Sequence, residues 1–136
     1  LKLPIAIHSR DAQQDTIQIM RASRAEEIGG VIHCYSYSKE SARDFLNMGF
    51  YFGIGGVVTF KNAKKLKEAV AYIPLSNIVL ETDAPYLTPE PFRGKRNDSS
   101  KLVYVAQAIA DIKQIPVDEV YAETWKNAHQ MYKIQK

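Results

Sequence analysis

The chain has 136 residues, of which 46% are hydrophobic and 24% charged, the composition of one globular domain with a single core. It contains no apolar run long enough to span a bilayer, and its single cysteine excludes an intrachain disulfide framework, so we expect a cytoplasmic protein with no membrane partner. The net charge of +3 permits a polyanionic substrate without requiring one.

Short apolar runs alternate with helical periodicity through residues 4–80, a pattern typical of a parallel α/β fold. The predicted strands are residues 4–8, 30–33, 50–54 and 78–80. Between the first two, Asp11 is expected to cap a helix that continues to Glu27. A second helix is expected to begin after Ser38 or Ser41, and a third spans residues 62–72.

A loop rich in proline, glycine and charge follows over residues 84–100. Two amphipathic helices then complete the sequence, because apolar residues recur at helical spacing through residues 102–110 and 117–131. We therefore treat residues 1–136 as a single unit with the order βαβαβαβ, a loop and two helices.

Three of the strand-like runs end in a side chain that can bind a metal ion, namely His8, His33 and Asp83. The carboxyl ends of parallel strands meet at one edge of the sheet, so the three side chains predict one divalent-metal site built from three strands. Glu81 shares the face of Asp83 by strand alternation and is expected to support the site. Cys34 alternates away from His33, so we expect it to be buried and not to bind the metal.

Six segments carry a family resemblance. They are LPIAIHSRDA at residues 3–12, GVIHCYS at 30–36, GIGGVVTF at 53–60, ETDAPYLTP at 81–89, RGKRN at 93–97 and NA at 127–128. In this order and spacing they resemble the carboxyl-terminal half of a TatD-type metal-dependent deoxyribonuclease, within the amidohydrolase superfamily of (β/α)8 barrels. The resemblance implies an α/β fold that corresponds to strands five to eight of such a TIM-like barrel.

The resemblance also implies the chemistry of the site. His8, His33 and Asp83 would bind one or two divalent ions, with Mg²⁺ expected first and Zn²⁺, Mn²⁺ or another divalent ion as alternatives. Asp83 would in addition accept the proton of the attacking water during hydrolysis of DNA phosphodiester bonds.

The same resemblance implies further ligands that this sequence lacks. The family places an HxH pair on strand one and a glutamate on strand four, and no HxH occurs here. We therefore expect a chain that is incomplete as an enzyme and needs the amino-terminal half of the barrel, or a second chain, as its partner. Two alternatives stay open: a non-catalytic fragment that needs a partner chain, and an amidohydrolase that cleaves a C–N or ester bond at a similar centre.

Basic residues lie close to the predicted site. Arg93, Lys95 and Arg96 lie in the loop after the last strand, and Arg10 follows the first strand. We expect these four side chains to bind phosphates of a DNA substrate, and a solvated loop is the alternative. Tyr37 stands where the family usually has glycine, so it is expected to crowd the mouth of the site or alter substrate fit.

Overall fold

The computed structural model describes residues 3–134 as a parallel sheet with helices between and after its strands. In chain order the elements are β1 (Ile5–His8), α1 (Gln13–Ala22), β2 (Gly30–His33), α2 (Lys39–Asn47), β3 (Tyr51–Ile54), α3 (Lys64–Tyr72), β4 (Ile78–Leu80), α4 (Leu102–Lys113) and α5 (Val117–Tyr132). Short 3-10 turns cover Ala25–Glu27, Gly56–Thr59, Leu75–Asn77 and Ser99–Lys101. The predicted alternation of strands and helices is confirmed.

The strands lie in the order β1-β2-β3-β4, and every neighbouring pair is parallel. The register pairs His8 with His33 and Ile54 with Leu80. Because all strands run the same way, the residues that follow β1, β2 and β4 emerge at one edge of the sheet.

Strand alternation gives the sheet two unlike faces. We call the face that packs against the helices α1–α4 the outer face, and its side chains belong to the main hydrophobic core. The most buried side chains of this face are Ile32, Phe52, Ile54 and Ile78. On the inner face, Val31 and Val79 pack against Ala128 and Met131 of α5. The inner face also carries His8 and His33 at the ends of their strands.

The last helix is fixed to the sheet by one buried amide. The Nδ2 group of Asn127 in α5 donates hydrogen bonds to the carbonyl oxygens of Leu75 and Ile78, at 2.8 Å each, next to the amino end of β4. This helix has 16 residues, and within residues 3–134 no helix is both long and apolar enough to cross a membrane.

The predicted first helix is wrong at both ends. Asp11 adopts a left-handed backbone, with φ of +51°, and Ala12 precedes the helix without a side-chain cap. The helix ends at Ala22 because Arg24 is also left-handed, with φ of +53°, which interrupts the helical hydrogen bonds before the 3-10 turn at Ala25–Glu27.

The other helix starts agree more closely with the prediction. Ser38 is the capping residue of α2, and its Oγ accepts a hydrogen bond from the backbone N–H of Ser41 at 3.5 Å. The third helix begins at Lys64, two residues later than predicted. Its first turn has no side-chain cap, since Ala63 occupies the capping position.

Candidate metal centre

The residues at the carboxyl edge of the sheet surround a cavity of about 460 Å³. His8, His33 and Asp83 all line it, together with Arg10 and Tyr86. The structure therefore brings the three predicted metal ligands to one cavity, as the parallel arrangement of their strands requires.

His33 lies between two carboxylates. Its Nδ1 is 3.0 Å from Oε2 of Glu81, and its Nε2 is 3.3 Å from Oδ1 of Asp83. Burial acts to lower the pKa of His33, but the carboxylates of Glu81 and Asp83 outweigh it and raise the pKa above its ordinary value. The two contacts fix the ring so that Nε2 faces Asp83.

Asp83 reaches the cavity because the chain turns sharply after β4. Its backbone lies in the left-handed region, with φ of +55°, which is uncommon for a residue other than glycine. The turn is held by two hydrogen bonds: the N–H of Tyr86 donates to the carbonyl of Asp83 at 2.9 Å, and the N–H of Ala84 donates to Oγ1 of Thr82 at 3.2 Å. This conformation presents the Asp83 carboxylate to His33.

His8 lies beside His33 but is held less closely to the other donors. The centroids of the two imidazole rings are 6.1 Å apart and their planes are inclined by 40°. In the described part of the chain, residues 3–134, no group of three or more His, Cys, Asp or Glu side chains is placed to hold a metal ion. The structure thus pairs His33 with Asp83, and a three-ligand centre that includes His8 stays a prediction.

The paired donors suit a divalent ion. Two ligand atoms that lie about 2.1 Å from the same ion, at angles near 90–110°, are about 3.0–3.4 Å apart. The separation of 3.3 Å between Nε2 of His33 and Oδ1 of Asp83 falls in this range. An imidazole nitrogen with a carboxylate oxygen is a donor set that Zn²⁺ and Mn²⁺ accept readily, and Mg²⁺ accepts it when further oxygen ligands are present.

Glu81 supports His33, as strand alternation predicted, and the structure shows how it fits. Its Oε1 accepts a hydrogen bond from the backbone N–H of Cys34 at 2.6 Å, while its Oε2 contacts His33. Burial raises the pKa of Glu81, and His33 and the Cys34 N–H act against this increase. A Cβ atom on Gly53 would lie 1.9 Å from Oε2 of Glu81, so only glycine leaves room for the carboxylate.

Sequence reasoning did not identify this role of Gly53. The available signal was a glycine inside a strand, which often marks the close approach of another group.

Cys34 does not follow the strand alternation that predicted its burial. Its backbone is left-handed, with φ of +51°, so the partly buried thiol lines the same cavity as His33. Burial, with smaller effects from Glu81 and Asp83, raises the pKa of the thiol to about 11. Without a metal ion the thiol is therefore protonated at neutral pH, and the expectation that Cys34 does not bind the metal stays a prediction.

The four predicted phosphate contacts divide between two cavities. Arg10 lines the cavity that holds the metal donors. Arg93, Lys95 and Arg96 line a neighbouring cavity of about 540 Å³. Tyr86 and Leu87 line both cavities, so the two cavities adjoin at these residues.

Buried polar side chains hold the loop that carries the three basic residues. Asn97 is 3% exposed, and its Nδ2 donates to the carbonyl oxygens of Thr82 and Tyr86 at 2.8 Å each. Thr88 is also 3% exposed, and its hydroxyl donates to the carbonyl of Lys95. These bonds give the loop a defined shape next to the cavity.

Two further side chains lie away from the metal donors. The hydroxyl of Tyr37 is 2.7 Å from Oγ of Ser9 and accepts the N–H of Ala12 at 3.4 Å, so Tyr37 supports the turn after β1 and is not part of the cavity wall. His129 stacks on Trp125, with 3.8 Å between ring centroids, and its Nδ1 is 2.9 Å from the Trp125 carbonyl oxygen. His129 thus contacts its own helix and lies outside the cavity that holds the metal donors.

Comparison with known proteins identifies the family. A family model described as TatD related DNase matches residues 1–133. The chain is 48% identical over 134 residues to the uncharacterized metal-dependent hydrolase YabD of Bacillus subtilis, covering 98% of this chain and 52% of the relative. It is 40% identical over 134 residues to the uncharacterized metal-dependent hydrolase YcfH of Escherichia coli K12, covering 98% of this chain and 51% of the relative.

Solved structures show the same fold. The crystal structure of the TatD homolog YJJV from Escherichia coli superimposes with a TM-score of 0.89 at 26% identity, covering 97% of this chain and 51% of that one. A TatD family hydrolase from Entamoeba histolytica superimposes with a TM-score of 0.86 at 22% identity, covering 96% of this chain and 51% of that one. The chain spans about half the length of the curated relatives it matches. The chain belongs to the family of TatD-related DNases.

Proposed function

We propose that this chain is the carboxyl-terminal half, strands five to eight, of a barrel enzyme that hydrolyses DNA phosphodiester bonds with a divalent metal ion. The observation that supports this most is that two cavities adjoin at Tyr86 and Leu87. One cavity holds the His33–Asp83 pair, and the other is lined by basic side chains. A polyanionic strand that crosses Tyr86 would place one phosphate near the donors and its neighbours near positive charge.

The proposed roles follow from the donor chemistry. His8, His33 and Asp83 would hold one or two divalent ions, Mg²⁺ first and Zn²⁺ or Mn²⁺ as alternatives. The bound ion would lower the pKa of a water molecule and stabilise charge on the phosphoryl oxygens. Asp83 is the residue proposed to accept the proton of that water, because its carboxylate faces the cavity and remains partly exposed.

The basic residues are proposed to position the strand. Arg93, Lys95 and Arg96 would bind phosphates on one side of the reacting bond, and Arg10 would bind a phosphate on the β1 side. Tyr86 is 71% exposed beside the two cavities, and its ring would offer a flat surface on which a base can stack.

The proposed partner is the amino-terminal half of the barrel, on the same polypeptide or on a second chain. In the part of the chain that the structure describes, β1 and β4 each pair with a strand on one side only. Closing a sheet of this kind into a barrel would satisfy both edges, and it would bring further ligands to His8. A cytoplasmic location is part of the same proposal.

The test is a nuclease assay on the purified chain, with and without the amino-terminal half of the Bacillus subtilis relative. End-labelled DNA oligonucleotides are incubated with Mg²⁺, Mn²⁺ or Zn²⁺, and Asp83→Asn serves as the matched inactive variant. We expect negligible cleavage by the chain alone and metal-dependent cleavage by the combination. Light scattering reports whether the chain alone aggregates or dimerises.

The outcomes separate the alternatives. Cleavage of amide or ester substrates, but not of DNA, by the combination would favour a different amidohydrolase. A soluble monomer that cleaves DNA without a partner would contradict the proposed need for the amino-terminal half. If both DNA and the other substrates stay intact while the two halves associate, the chain is a non-catalytic partner.

A further inference from the structure

We infer that Glu81 is a positioning residue that fixes the tautomer of His33, and that Gly53 is required because it leaves space for the Glu81 carboxylate. The inference rests on the proposed function only for the identity of what His33 binds. The arrangement itself is a property of the chain.

The first step is the contact geometry. The Glu81 carboxylate receives two donors, the backbone N–H of Cys34 at 2.6 Å on Oε1 and the imidazole Nδ1 of His33 at 3.0 Å on Oε2. Both ring nitrogens face carboxylate acceptors, but the contact with Glu81 is shorter, and the Glu81 side chain is 16% exposed against 39% for Asp83. The more buried and shorter contact places the proton of the neutral ring on Nδ1. The other ring nitrogen, Nε2, then faces the cavity and Asp83 with its lone pair available to a metal ion.

The second step is how Glu81 reaches a histidine two strands away. Residues 31 and 51 are paired in the sheet, as are residues 53 and 79, so Gly53 lies between His33 and the strand that leads to Glu81. Any side chain on Gly53 would meet the Glu81 carboxylate, because even a Cβ would lie 1.9 Å from Oε2. The absence of a side chain at this position is therefore what allows the contact.

The third step concerns Cys34, whose N–H completes the arrangement. The left-handed backbone of Cys34, with φ of +51°, directs its N–H to Glu81 immediately after His33. A carboxylate that binds both the ring and the next backbone N–H restrains the ring's position and its proton together. If Glu81 only stabilised the fold, its contact with the Cys34 N–H would be sufficient, and no particular tautomer of His33 would be required.

The variant Glu81→Gln separates these two roles. The Cys34 N–H can only donate, so it must receive the amide oxygen of glutamine. The glutamine NH₂ then faces Nδ1 of His33, which must become an acceptor, and the ring proton moves to Nε2. The substitution keeps size and shape, so we expect the fold to be retained and the tautomer to be reversed.

The measurement is the pair of ¹⁵N side-chain shifts of His33 in the ¹⁵N-labelled chain, at a pH where the imidazole is neutral. The His33 signals are assigned by their loss in His33→Gln. We expect protonated Nδ1 and unprotonated Nε2 in the wild type and in the control Glu68→Gln, an exposed glutamate on the outer helix α3. We expect the reverse in Glu81→Gln, and loss of the wild-type preference in Gly53→Ala although Glu81 is still present.

Binding of Zn²⁺, measured by calorimetry, gives a second readout. We expect affinity to fall about 10–100-fold in Glu81→Gln and in Gly53→Ala, with no further fall in the double variant. Failure of the wild type to bind any divalent ion would count against the proposed function, while the ¹⁵N shifts would still test the inference. A wild-type tautomer and wild-type affinity in folded Glu81→Gln would overturn the inference and leave the proposed function intact.

Discussion

The two histidines at paired positions on β1 and β2 differ in how firmly the molecule holds them. We call residues 8–12 the β1 end, and His33, Glu81 and Asp83 the β2–β4 end. At the β2–β4 end, both ring nitrogens of His33 contact carboxylates, at 3.0 and 3.3 Å. At the β1 end, the side chains of Arg10 and Asp11 are 84% and 96% exposed.

The difference follows from the position of each strand. Strand β2 has a neighbour on both sides, and Glu81 reaches it across the gap left by Gly53. Strand β1 has a neighbour on one side only in the described part of the chain. The predicted ligand His33 is thus held where strands on both sides contribute contacts, and the proposed amino-terminal half would supply the second neighbour of β1.

The largest expected effect is at the β2–β4 end. Asp83→Asn should lower DNA cleavage by the assembled protein about 10²–10⁴-fold, because it removes the proposed proton acceptor and weakens a metal ligand. We expect little change in the unfolding midpoint, since the Asp83 side chain is 39% exposed. Cleavage rate and thermal unfolding are measured on the same preparations. Equal losses of rate and stability would show that Asp83 is a structural residue.

The comparison of the histidines predicts unequal effects on stability. His33→Ala should lower the free energy of unfolding by about 1–3 kcal/mol, because it leaves the mostly buried Glu81 carboxylate with one partner fewer. His8→Ala is the matched variant at the β1 end and should change it by less than about 0.5 kcal/mol. Urea unfolding of both variants measures the difference, and similar losses would contradict the contrast between the two ends.

Much of this arrangement was predictable from the sequence. The apolar runs that end in His8 and His33 predicted both strands and the common edge at which they end, because a strand that is buried on both faces has a continuous apolar sequence. Strand alternation was enough to place Glu81 near Asp83. The expectations of a divalent metal and of a DNA substrate came from the resemblance to the family, because no periodicity in a sequence encodes them.

Other features could not be predicted because they depend on left-handed residues. Asp11, Arg24, Cys34 and Asp83 all have positive φ without being glycine, and nothing local in the sequence marks them. Asp11 is therefore not the helix cap that the sequence predicted. Cys34 lines the cavity, although strand alternation predicted that its side chain would point away from His33. The role of Gly53 is a contact between distant segments, so it becomes visible only when β3 and Glu81 are placed together.

The basic loop extends the comparison from the metal donors to the substrate. The triple variant Arg93→Ala, Lys95→Ala, Arg96→Ala should weaken the salt dependence of single-stranded DNA binding. We expect the slope of the logarithm of the binding constant against the logarithm of the salt concentration to decrease in magnitude by about 2, which is about 0.7 for each phosphate contact. The triple alanine variant of exposed Lys61, Lys64 and Lys65 is the charge-matched control and should leave the slope unchanged. Binding is followed by fluorescence anisotropy across a salt series.

Arg10 supplies the corresponding test at the β1 end. Its single replacement by alanine should reduce the slope by less than the triple loop variant, because it removes one contact. A loop variant with an unchanged slope would show that the three basic side chains are only solvated. A larger effect for Arg10 than for the loop would place the main phosphate contacts at the β1 end.

The smallest expected effect concerns the hydrogen bonds that hold the β1 end. The Tyr37 hydroxyl contacts Oγ of Ser9, which in turn lies 2.6 Å from Oγ1 of Thr16, and it also accepts the N–H of Ala12. Tyr37→Phe should lower the free energy of unfolding by about 0.5–1.5 kcal/mol. The exposed Tyr132→Phe is the control and should have no measurable effect.

Hydrogen exchange locates the effect of Tyr37→Phe within the molecule. We expect faster exchange of the backbone N–H groups at residues 9–12, with unchanged protection at Cys34, because Glu81 holds that N–H independently of the β1 end. Faster exchange at both places would mean that the two ends are coupled through the pairing of β1 with β2. In that case a change at the β1 end would also destabilise the contacts of His33. The two ends would then not differ in how firmly they hold their histidines.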